Sequence, residues 1–481
     1  MPRTKIVCTI GPASSSPAMM RQLMRAGMDV ARINFSHSDQ ATHGQEIATL
    51  RQVAEEEKQL IAVMADLQGP KWRVGEIAGQ AIKLCKGDVV TLTARSHSGR
   101  ADEIPIPHPE LLRDLLIDQT VLLDDGNLAL IVVERTGEES LKCRVVIGGL
   151  LTSHKGINVP GARLHLPTLT SKDRADAMFA LEQEVDYIAL SFVRSAGDVH
   201  ELREFMQGKA DVSRIETIPI IAKIEKPEAL LDFDEILAAS DGIMVARGDL
   251  GVETPAEEVP FHQKHIVQAC NQVGKPVITA TQMLQTMIEY PRPTRAEASD
   301  VVNAILDGTD AVMLSGETAV GQYPIEAART MAKICANAEA HLPAGRLLYE
   351  EADEHETVTE AISSAAVEIA DEVNARAIIT ATMSGTTARM VARHRPSVPI
   401  VAVTPSQETR FRLALVWGVT PVQVSEFKST DEMVGMMVQA ACAKEVATWG
   451  DRVVLTAGIP FGRGEKTNML KVHVMGESEE A

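Results

Sequence analysis

Eight short, almost continuously apolar runs dominate the sequence, and each ends in glycine or polar residues. Strands that are covered on both faces have this composition, because neither face meets water. Amphipathic helical patterns follow most of the runs, which predicts a parallel sheet with helices outside it. Eight such units are the number that closes a (β/α)8 barrel, the TIM-barrel class of α/β fold. The runs lie at 5–10, 30–34, 61–66, 186–192, 219–225, 242–248, 276–282 and 311–316.

One long interruption separates the third run from the fourth. The third ends at Asp66 and the fourth begins at Asp186, which is too far for an ordinary crossover. The intervening segment contains alternating or β-branched stretches and an Asp-Gly turn, which are typical of strands and hairpins. We therefore expect an inserted all-β lid domain, a small β-barrel, at residues 70–167. The catalytic barrel would then comprise residues 1–69 and 168–343.

Beyond the eighth unit, short apolar strands alternate with helices up to residue 476. This alternation predicts a separate, doubly wound α/β domain at residues 344–481.

The composition narrows the class of partner. Lys and Arg total 47 against 66 Asp and Glu, a formal net charge of −19, which does not favour nucleic-acid binding. No apolar run reaches the ~18 residues that a membrane span needs. The six cysteines lie apart without a Cys-x-x-Cys pair, which is typical of reduced thiols in a cytoplasmic protein.

Polar residues recur where the barrel runs end. Those ends meet at one mouth, where active sites of this fold lie. Glu225 and Asp249 follow adjacent runs and suit a hard divalent cation; alternatively, they only form ion pairs with Lys223 and Arg247. The polar residues at run ends are Arg32, Asn34, Ser36, Asp66, Ser191, Lys223, Glu225, Arg247, Asp249, Thr281, Ser315 and Glu317.

Basic residues near these ends suit a substrate with a phosphate and a carboxylate, although each alone is compatible with a surface salt bridge. They are Arg32, Lys71, Arg73, Lys155, Lys223 and Arg247. The backbone amides of Gly248 and Asp249, at a turn into a helix, are free to hold a carboxylate. The alternative is an ordinary strand-to-helix turn that binds no ligand, which the same sequence would also form.

Two stretches are specific: MVARGDLGVE at 244–253, and residues 279–324, which include PRPTRAEASD and MLSGETAVGQYP. With TKIVCTIGPAS and GMDVARINFSH near the start, they make the chain resemble the pyruvate kinases over essentially its full length. The resemblance implies phosphoryl transfer from phosphoenolpyruvate to ADP, the last step of glycolysis. It also implies a homotetramer.

The resemblance assigns roles position by position. Glu225 and Asp249 resemble the ligands of Mg2+ or Mn2+, and Lys223 resembles the lysine beside the transferred phosphoryl group. Arg32 resembles the arginine that grips that group. The remaining assignments are Thr281 with the amides of Gly248 and Asp249 for the substrate carboxylate, Ser315 with Glu317 for the proton step, and Arg73, His37 and Lys155 for the nucleotide.

Position 71 departs from the family pattern. Many members carry Glu there and bind K+ among groups that match Asn34, Ser36, Asp66 and the carbonyl of Leu67. Our hypothesis is that the Lys71 ammonium supplies the charge of K+, so that K+ is not required. In the alternative, Lys71 faces solvent and the K+ site still works.

A Ser- and Thr-rich loop precedes a helix in the C-terminal domain and resembles the family's allosteric loop. It comprises Thr382, Ser384, Gly385, Thr386 and Thr387. Hydroxyls and free amides at a helix N-terminus suit a phosphorylated effector, whereas simple helix capping is the alternative. A basic loop with Gly462, Arg463, Gly464 and Lys466 is expected to close on the same ligand, whether sugar bisphosphate, sugar monophosphate or nucleotide.

Two other functions fit part of the pattern. A metal-dependent aldolase or lyase acting on a pyruvate enolate would use the same carboxylates without a nucleotide lid. A non-catalytic sensor would bind phosphorylated metabolites through the C-terminal domain, but it would not need the intact set of residues at the barrel mouth.

Overall fold

Eight parallel strands close into a barrel, as predicted. The computed structural model describes residues 2–98, 100, 102–161, 168–208, 218–341, 357–460 and 466–476. Each barrel strand pairs with the next along the chain, and the last pairs with the first. The strands are Lys5–Ile10, Val30–Asn34, Ala62–Asp66, Tyr187–Leu190, Ile220–Ile224, Gly242–Ala246, Val277–Ala280 and Ala311–Leu314.

Helices cover the outside of the barrel. The first follows its sequence signals: Ser16 accepts a hydrogen bond from the amide of Met19, and Gly27 ends the helix with φ 114°, a conformation that favours glycine. The barrel helices are Pro17–Ala26, Gln40–Glu57, Ser171–Glu182, Ala196–Gln207, Pro227–Leu231, Phe233–Ala239, Arg247–Glu253, Val259–Val273, Arg295–Asp307, Gly316–Ala319 and Pro324–Ala340, with a 3-10 turn at Gln285–Ile288.

The inserted segment has its own apolar core. It forms a six-stranded sheet and a two-stranded sheet, and it includes one short helix, Pro109–Asp114, that we did not expect. Its strands are Ala81–Leu84, Val89–Thr93, Glu103–Pro105, Thr120–Leu123, Leu128–Gly137, Ser140–Ile147, Gly149–Thr152 and Ile157–Asn158. We refer to this segment as the lid. Its barrel form and the domain boundaries stay predictions, and the boundaries near 167 and 343 lie outside the described residues.

The C-terminal part is an α/β domain with apolar clusters on both sides of one sheet. Four parallel strands are followed by one antiparallel strand at the edge. The strands are Ile378–Ala381, Ile400–Thr404, Val419–Gln423, Arg452–Ala457 and Met469–Val474, and the helices are Val358–Glu372, Thr386–Ala392, Gln407–Arg412 and Thr430–Ala443, with a 3-10 turn at Leu413–Leu415. No helix in the described ranges is both long and apolar enough to cross a membrane.

The C-terminal domain seals the barrel at the end opposite the mouth. Leu415 is fully buried and belongs to the cluster that fills the barrel interior with Met64, Tyr187 and Met244. The Tyr187 hydroxyl donates a hydrogen bond of 2.6 Å to the carbonyl of Arg412. The base of the barrel is therefore completed by a segment from another domain.

We expect Leu415→Ala to destabilise the protein by about 3 kcal/mol, because it leaves a cavity among rigidly packed side chains. Urea denaturation measures the loss. Leu231→Ala is the matched control, since Leu231 is 91% exposed, and its effect should stay within about 0.5 kcal/mol. Equal effects of the two substitutions would contradict the proposal that Leu415 of the C-terminal domain completes the core at the barrel base.

Candidate active site

Lys223 lies at the centre of the barrel mouth. Its Nζ lies 2.9 Å from Glu225 Oε1 and 3.2 Å from Asp66 Oδ1, and it donates a hydrogen bond of 2.7 Å to Ser191 Oγ. Burial alone would lower the pKa of Lys223, but the carboxylates of Asp66 and Glu225 outweigh burial and hold the pKa above its ordinary value. The site therefore contains a buried ammonium that stays charged.

Asp66 joins this ammonium to a second cation. Its Oδ2 lies 2.6 Å from Arg32 Nε, while Arg32 Nη1 donates a hydrogen bond of 3.0 Å to Thr9 Oγ1. Burial would raise the pKa of Asp66, but Lys223 and Arg32 lower it below its ordinary value. Asp66 thus holds two cations at one side of the mouth. Thr9 was missed by the sequence analysis, although it lies near the end of the first strand.

Glu225 has an oxygen suited to a metal. Its Oε2 accepts a hydrogen bond of 2.7 Å from the amide of Phe192. Its Oε1 is buried and has no hydrogen bond within the described residues, although the Lys223 ammonium makes an ionic contact with it. Burial, together with the negative charge of Asp249, raises the pKa of Glu225 despite Lys223. A divalent cation between Glu225 and Asp249 would relieve both effects, so these residues fit one.

The ion-pair partner of Asp249 differs from the one that the alternative to a metal site assigns to it. Asp249 Oδ1 lies 3.6 Å from Lys71 Nζ. Arg247 instead lies 2.8 Å from Asp300 and donates a hydrogen bond of 2.8 Å to the carbonyl of Thr281. Glu225 therefore forms the ion pair with Lys223 that the alternative includes, whereas Asp249 lies beside Lys71 and not beside Arg247. The metal role of the two carboxylates stays a prediction.

Thr281 adopts a strained backbone conformation beside Gly248. Thr281 and the next residue, Gln282, have φ values of 66° and 56°, which cost about 1–3 kcal/mol each in non-glycine residues. The strain places Thr281 Oγ1 where it accepts a hydrogen bond of 2.7 Å from the Gly248 amide. The two predicted parts of the carboxylate pocket are thus adjacent, but the Gly248 amide is bonded to Thr281 and is not free as predicted.

Glu317 connects this pocket to the last barrel strand. Its two oxygens accept hydrogen bonds from the amides of Ser315, at 2.7 Å, and Leu284, at 3.1 Å. The hydroxyl of Ser315 is buried and has no hydrogen-bond partner in the described part of the chain. A polar atom in this state suits a bound water or substrate.

The predicted nucleotide residues lie at the edge of the lid and the barrel. Burial lowers the pKa of His37, and the positive charges of Arg73, Arg32 and Lys71 lower it further. Arg73 Nη1 donates a hydrogen bond of 3.1 Å to the His154 carbonyl. Lys155 Nζ lies 2.6 Å from the carboxylate of Asp124. The hydrogen bond to this carboxylate raises the pKa of Lys155.

The groups of the predicted monovalent-cation site follow two adjacent strands. Asn34 Oδ1 accepts a hydrogen bond of 3.2 Å from the Ser36 amide. The Leu67 carbonyl accepts one of 2.7 Å from Ser191 Oγ. Lys71 makes its ion pair with Asp249, so its substitution for K+ stays a prediction.

Hydroxyls of the predicted effector loop bond within the domain. Ser384 Oγ lies 2.9 Å from Thr386 Oγ1, and Thr382 Oγ1 accepts a hydrogen bond of 2.9 Å from the Gly385 amide. Thr387 Oγ1 lies 2.8 Å from Thr467 Oγ1. The residue that caps the helix Thr386–Ala392 is Gly385, which makes no side-chain cap bond, so these bonds are not the simple capping of the alternative. Of the predicted basic loop, Gly462, Arg463 and Gly464 lie outside the described residues.

Comparisons with known proteins match nearly the full chain to one family. The family model "Pyruvate kinase, barrel domain" matches residues 1–328, and "Pyruvate kinase, alpha/beta domain" matches residues 360–473. A pyruvate kinase of Geobacillus stearothermophilus is 48% identical over 478 residues, which cover 99% of this chain and 81% of the relative. One of Staphylococcus aureus is 44% identical over 480 residues, with coverages of 99% and 81%. The crystal structure of a pyruvate kinase from Cryptosporidium parvum has a TM-score of 0.92 and 37% identity, and the match covers 98% of this chain and 96% of that one.

Proposed function

The chain belongs to the pyruvate kinase family and transfers the phosphoryl group of phosphoenolpyruvate to ADP, and we propose that Lys223, Arg32 and Thr281 carry this reaction at the barrel mouth. The family assignment excludes the aldolase and sensor alternatives. One observation carries the proposal: the buried carboxylate of Asp66 holds the cations of Lys223 and Arg32 together, 3.2 and 2.6 Å from its two oxygens.

Two fixed cations suit phosphoryl transfer, which depends on positioning and charge neutralisation more than on covalent help. Arg32 binds the phosphoryl group. Lys223 lies beside the phosphoenolpyruvate oxygen from which this group departs. The bond from that oxygen to phosphorus breaks while a β-phosphate oxygen of ADP bonds to phosphorus. Lys223 then stabilises the enolate that remains, because its ammonium stays charged.

Glu225 and Asp249 would hold the divalent cation, Mg2+ or Mn2+. Their support is the buried Oε1 of Glu225, whose close contact within the described residues is the Lys223 ammonium, and the negative charge of Asp249. A cation bound there would polarise substrate oxygens and neutralise their charge. The amides of Gly248 and Asp249 and the hydroxyl of Thr281 would orient the substrate carboxylate there, with the substrate replacing the bond between Gly248 and Thr281.

The proton that completes pyruvate must reach the methylene carbon of the enolate. A threonine hydroxyl is too weak an acid to donate this proton alone. We therefore propose that a water molecule donates it and that Thr281 and Ser315 relay it. The buried hydroxyl of Ser315, which lacks a partner in the described residues, supports this relay. Glu317 fixes the position of the loop at Ser315 relative to the loop at Leu284, because it accepts hydrogen bonds from the amides of both residues.

On the nucleotide side, Arg73, His37 and Lys155 would contact ADP. Two of them, Arg73 and Lys155, belong to the lid, so lid closure would bring cations to the nucleotide phosphates and exclude water, which competes with ADP. A coupled assay tests the reaction: pyruvate should form from phosphoenolpyruvate only when ADP is present. Release of pyruvate without ADP would contradict it.

We expect turnover to persist in Na+ or Tris buffers without K+. Lys71→Glu should make the rate fall about tenfold without K+, an effect of ~1.4 kcal/mol on the barrier, and adding K+ should restore it. Steady-state assays with and without K+ measure this. Lys333→Glu, at an exposed lysine, is the control. A wild-type rate that collapses without K+ and recovers with it would reject the role of Lys71.

The loop of Thr382, Ser384, Gly385, Thr386 and Thr387 is proposed to bind a phosphorylated effector. Thr386 is the first residue of its helix, so Thr386→Glu should repel a phosphate there and abolish activation. A panel of sugar phosphates and AMP, titrated against subsaturating phosphoenolpyruvate, measures the response. Thr430→Glu, at the first position of another helix, should leave it unchanged. Unaltered activation in Thr386→Glu would favour simple capping.

We also propose a homotetramer in the cytoplasm. Large apolar side chains on the barrel helices and loops, among them Phe261 at 72% exposure and Tyr290 at 61%, support association between copies. Sedimentation velocity distinguishes the tetramer from a single chain of 52.0 kDa.

A further inference from the structure

Glu253 is a buried carboxylate that the reaction itself does not use. Only 6% of the residue is exposed. Its Oε1 accepts two hydrogen bonds, one of 2.5 Å from Lys226 Nζ and one of 2.8 Å from Asn158 Nδ2. A buried ion pair of this kind contributes little to net stability, because desolvation offsets the attraction, but it can fix the relative position of the elements it joins.

The three elements joined here are those that matter for the metal and the lid. Lys226 directly follows Glu225, and Glu253 ends the helix Arg247–Glu253, which carries Asp249. Asn158 lies in Ile157–Asn158, a strand of the lid. One carboxylate therefore connects both proposed metal ligands to the lid.

Phe192 strengthens the connection on the Glu225 side. Its φ of 56° lies in the left-handed region, which is strained for an aromatic residue, and its amide donates the hydrogen bond to Glu225 Oε2. Lys226 Nζ lies 5.8 Å from the centre of the Phe192 ring, within the range of a cation–π contact. Lys226 thus supports the residue that orients Glu225.

The lid meets the same helix at a second point. Lys71 Nζ lies 3.6 Å from Asp249. A movement of the lid therefore acts on both ends of one short helix: near Asp249 through Lys71, and at Glu253 through Asn158.

We propose that Glu253 is a positioning residue that couples the lid to the spacing of Glu225 and Asp249. The inference rests on the proposed function, since it takes these two carboxylates as the ligands of the divalent cation. When the lid moves, Asn158 moves Glu253, and the helix carries Asp249 with it. Lys226 holds the Glu225 side fixed while this happens.

The test measures Mn2+ binding by electron paramagnetic resonance without substrates, and steady-state kinetics separately. Glu253→Gln and Lys226→Met should each raise the Kd for Mn2+ about tenfold, the equivalent of ~1.4 kcal/mol. Asn158→Ala should leave that Kd within about twofold and instead raise the KM for ADP about tenfold, with kcat little changed. The double variant Lys226→Met/Glu253→Gln, which leaves no unpaired buried charge, should also bind Mn2+ weakly.

The controls separate three outcomes. Glu257→Gln, at an exposed position of the neighbouring loop, should behave as wild type. If Glu225→Gln binds Mn2+ as tightly as wild type, the proposed metal site itself is wrong. If Glu225→Gln weakens binding while Glu253→Gln and the double variant keep wild-type affinity and only melt at lower temperature, Glu253 is merely structural. An unchanged KM for ADP in Asn158→Ala would remove the lid from the proposal.

Discussion

Lys223→Met should lower kcat for phosphoryl transfer by about 10⁴-fold, within the 10³–10⁵ range of removing a cation that stabilises this transition state. The ammonium is buried between Asp66 and Glu225, 3.2 and 2.9 Å away. A water that entered the space left by the lysine side chain would not supply its positive charge. Methionine matches the length of the lysine stem but carries no charge. The loss should therefore appear in kcat more than in the affinity for either substrate.

The measurement is steady-state turnover with phosphoenolpyruvate and ADP, together with circular dichroism to confirm the fold. Lys333→Met, at an exposed lysine of the helix Pro324–Ala340, should leave turnover within about twofold, as expected for a surface substitution. Near-normal turnover of a folded Lys223→Met variant would overturn the assignment of Lys223.

The barrel was predictable because its strands are buried on both faces and read as continuous apolar runs. Lys5–Ile10 and Val30–Asn34 have the bounds that the sequence predicts. Other strands end sooner: the run 186–192 becomes Tyr187–Leu190, because Ser191 and Phe192 leave the sheet to bond Leu67 and Glu225. Boundaries shift where side chains or amides serve the site.

The convergence of strand ends on one mouth was also predictable, since topology alone brings Asp66, Lys223 and Glu225 together. Pairings between side chains of distant segments were not, because no local period encodes them. Asp249 pairs with Lys71 of the lid instead of Arg247, and the contact of Lys226 with Glu253 has no sequence signal beyond the presence of opposite charges. The short helix Pro109–Asp114 had one signal, a proline at its first position.

Glu225→Gln should lower turnover about 10³-fold, because a metal that stabilises charge in the transition state contributes several kcal/mol. Glutamine keeps the shape of the side chain and a carbonyl oxygen for the Phe192 amide, which donates to Oε2 in the wild type. It removes the negative charge beside Asp249 and leaves the Lys223 ammonium with Asp66 as its close carboxylate. The loss should thus fall on metal affinity first.

Mn2+ binding and turnover across a metal titration measure this effect, and Glu235→Gln, at an exposed position, is the control. The pKa of Glu225 is raised by burial and by Asp249, so in the wild type a proton competes with the metal, and Mn2+ affinity should fall as the pH is lowered. In Glu225→Gln that part of the pH dependence should vanish, because the amide does not titrate. A variant that binds Mn2+ as tightly as the wild type, with the same pH dependence, would show that the metal sits elsewhere, and the mechanism at the barrel mouth would have to be built without Glu225.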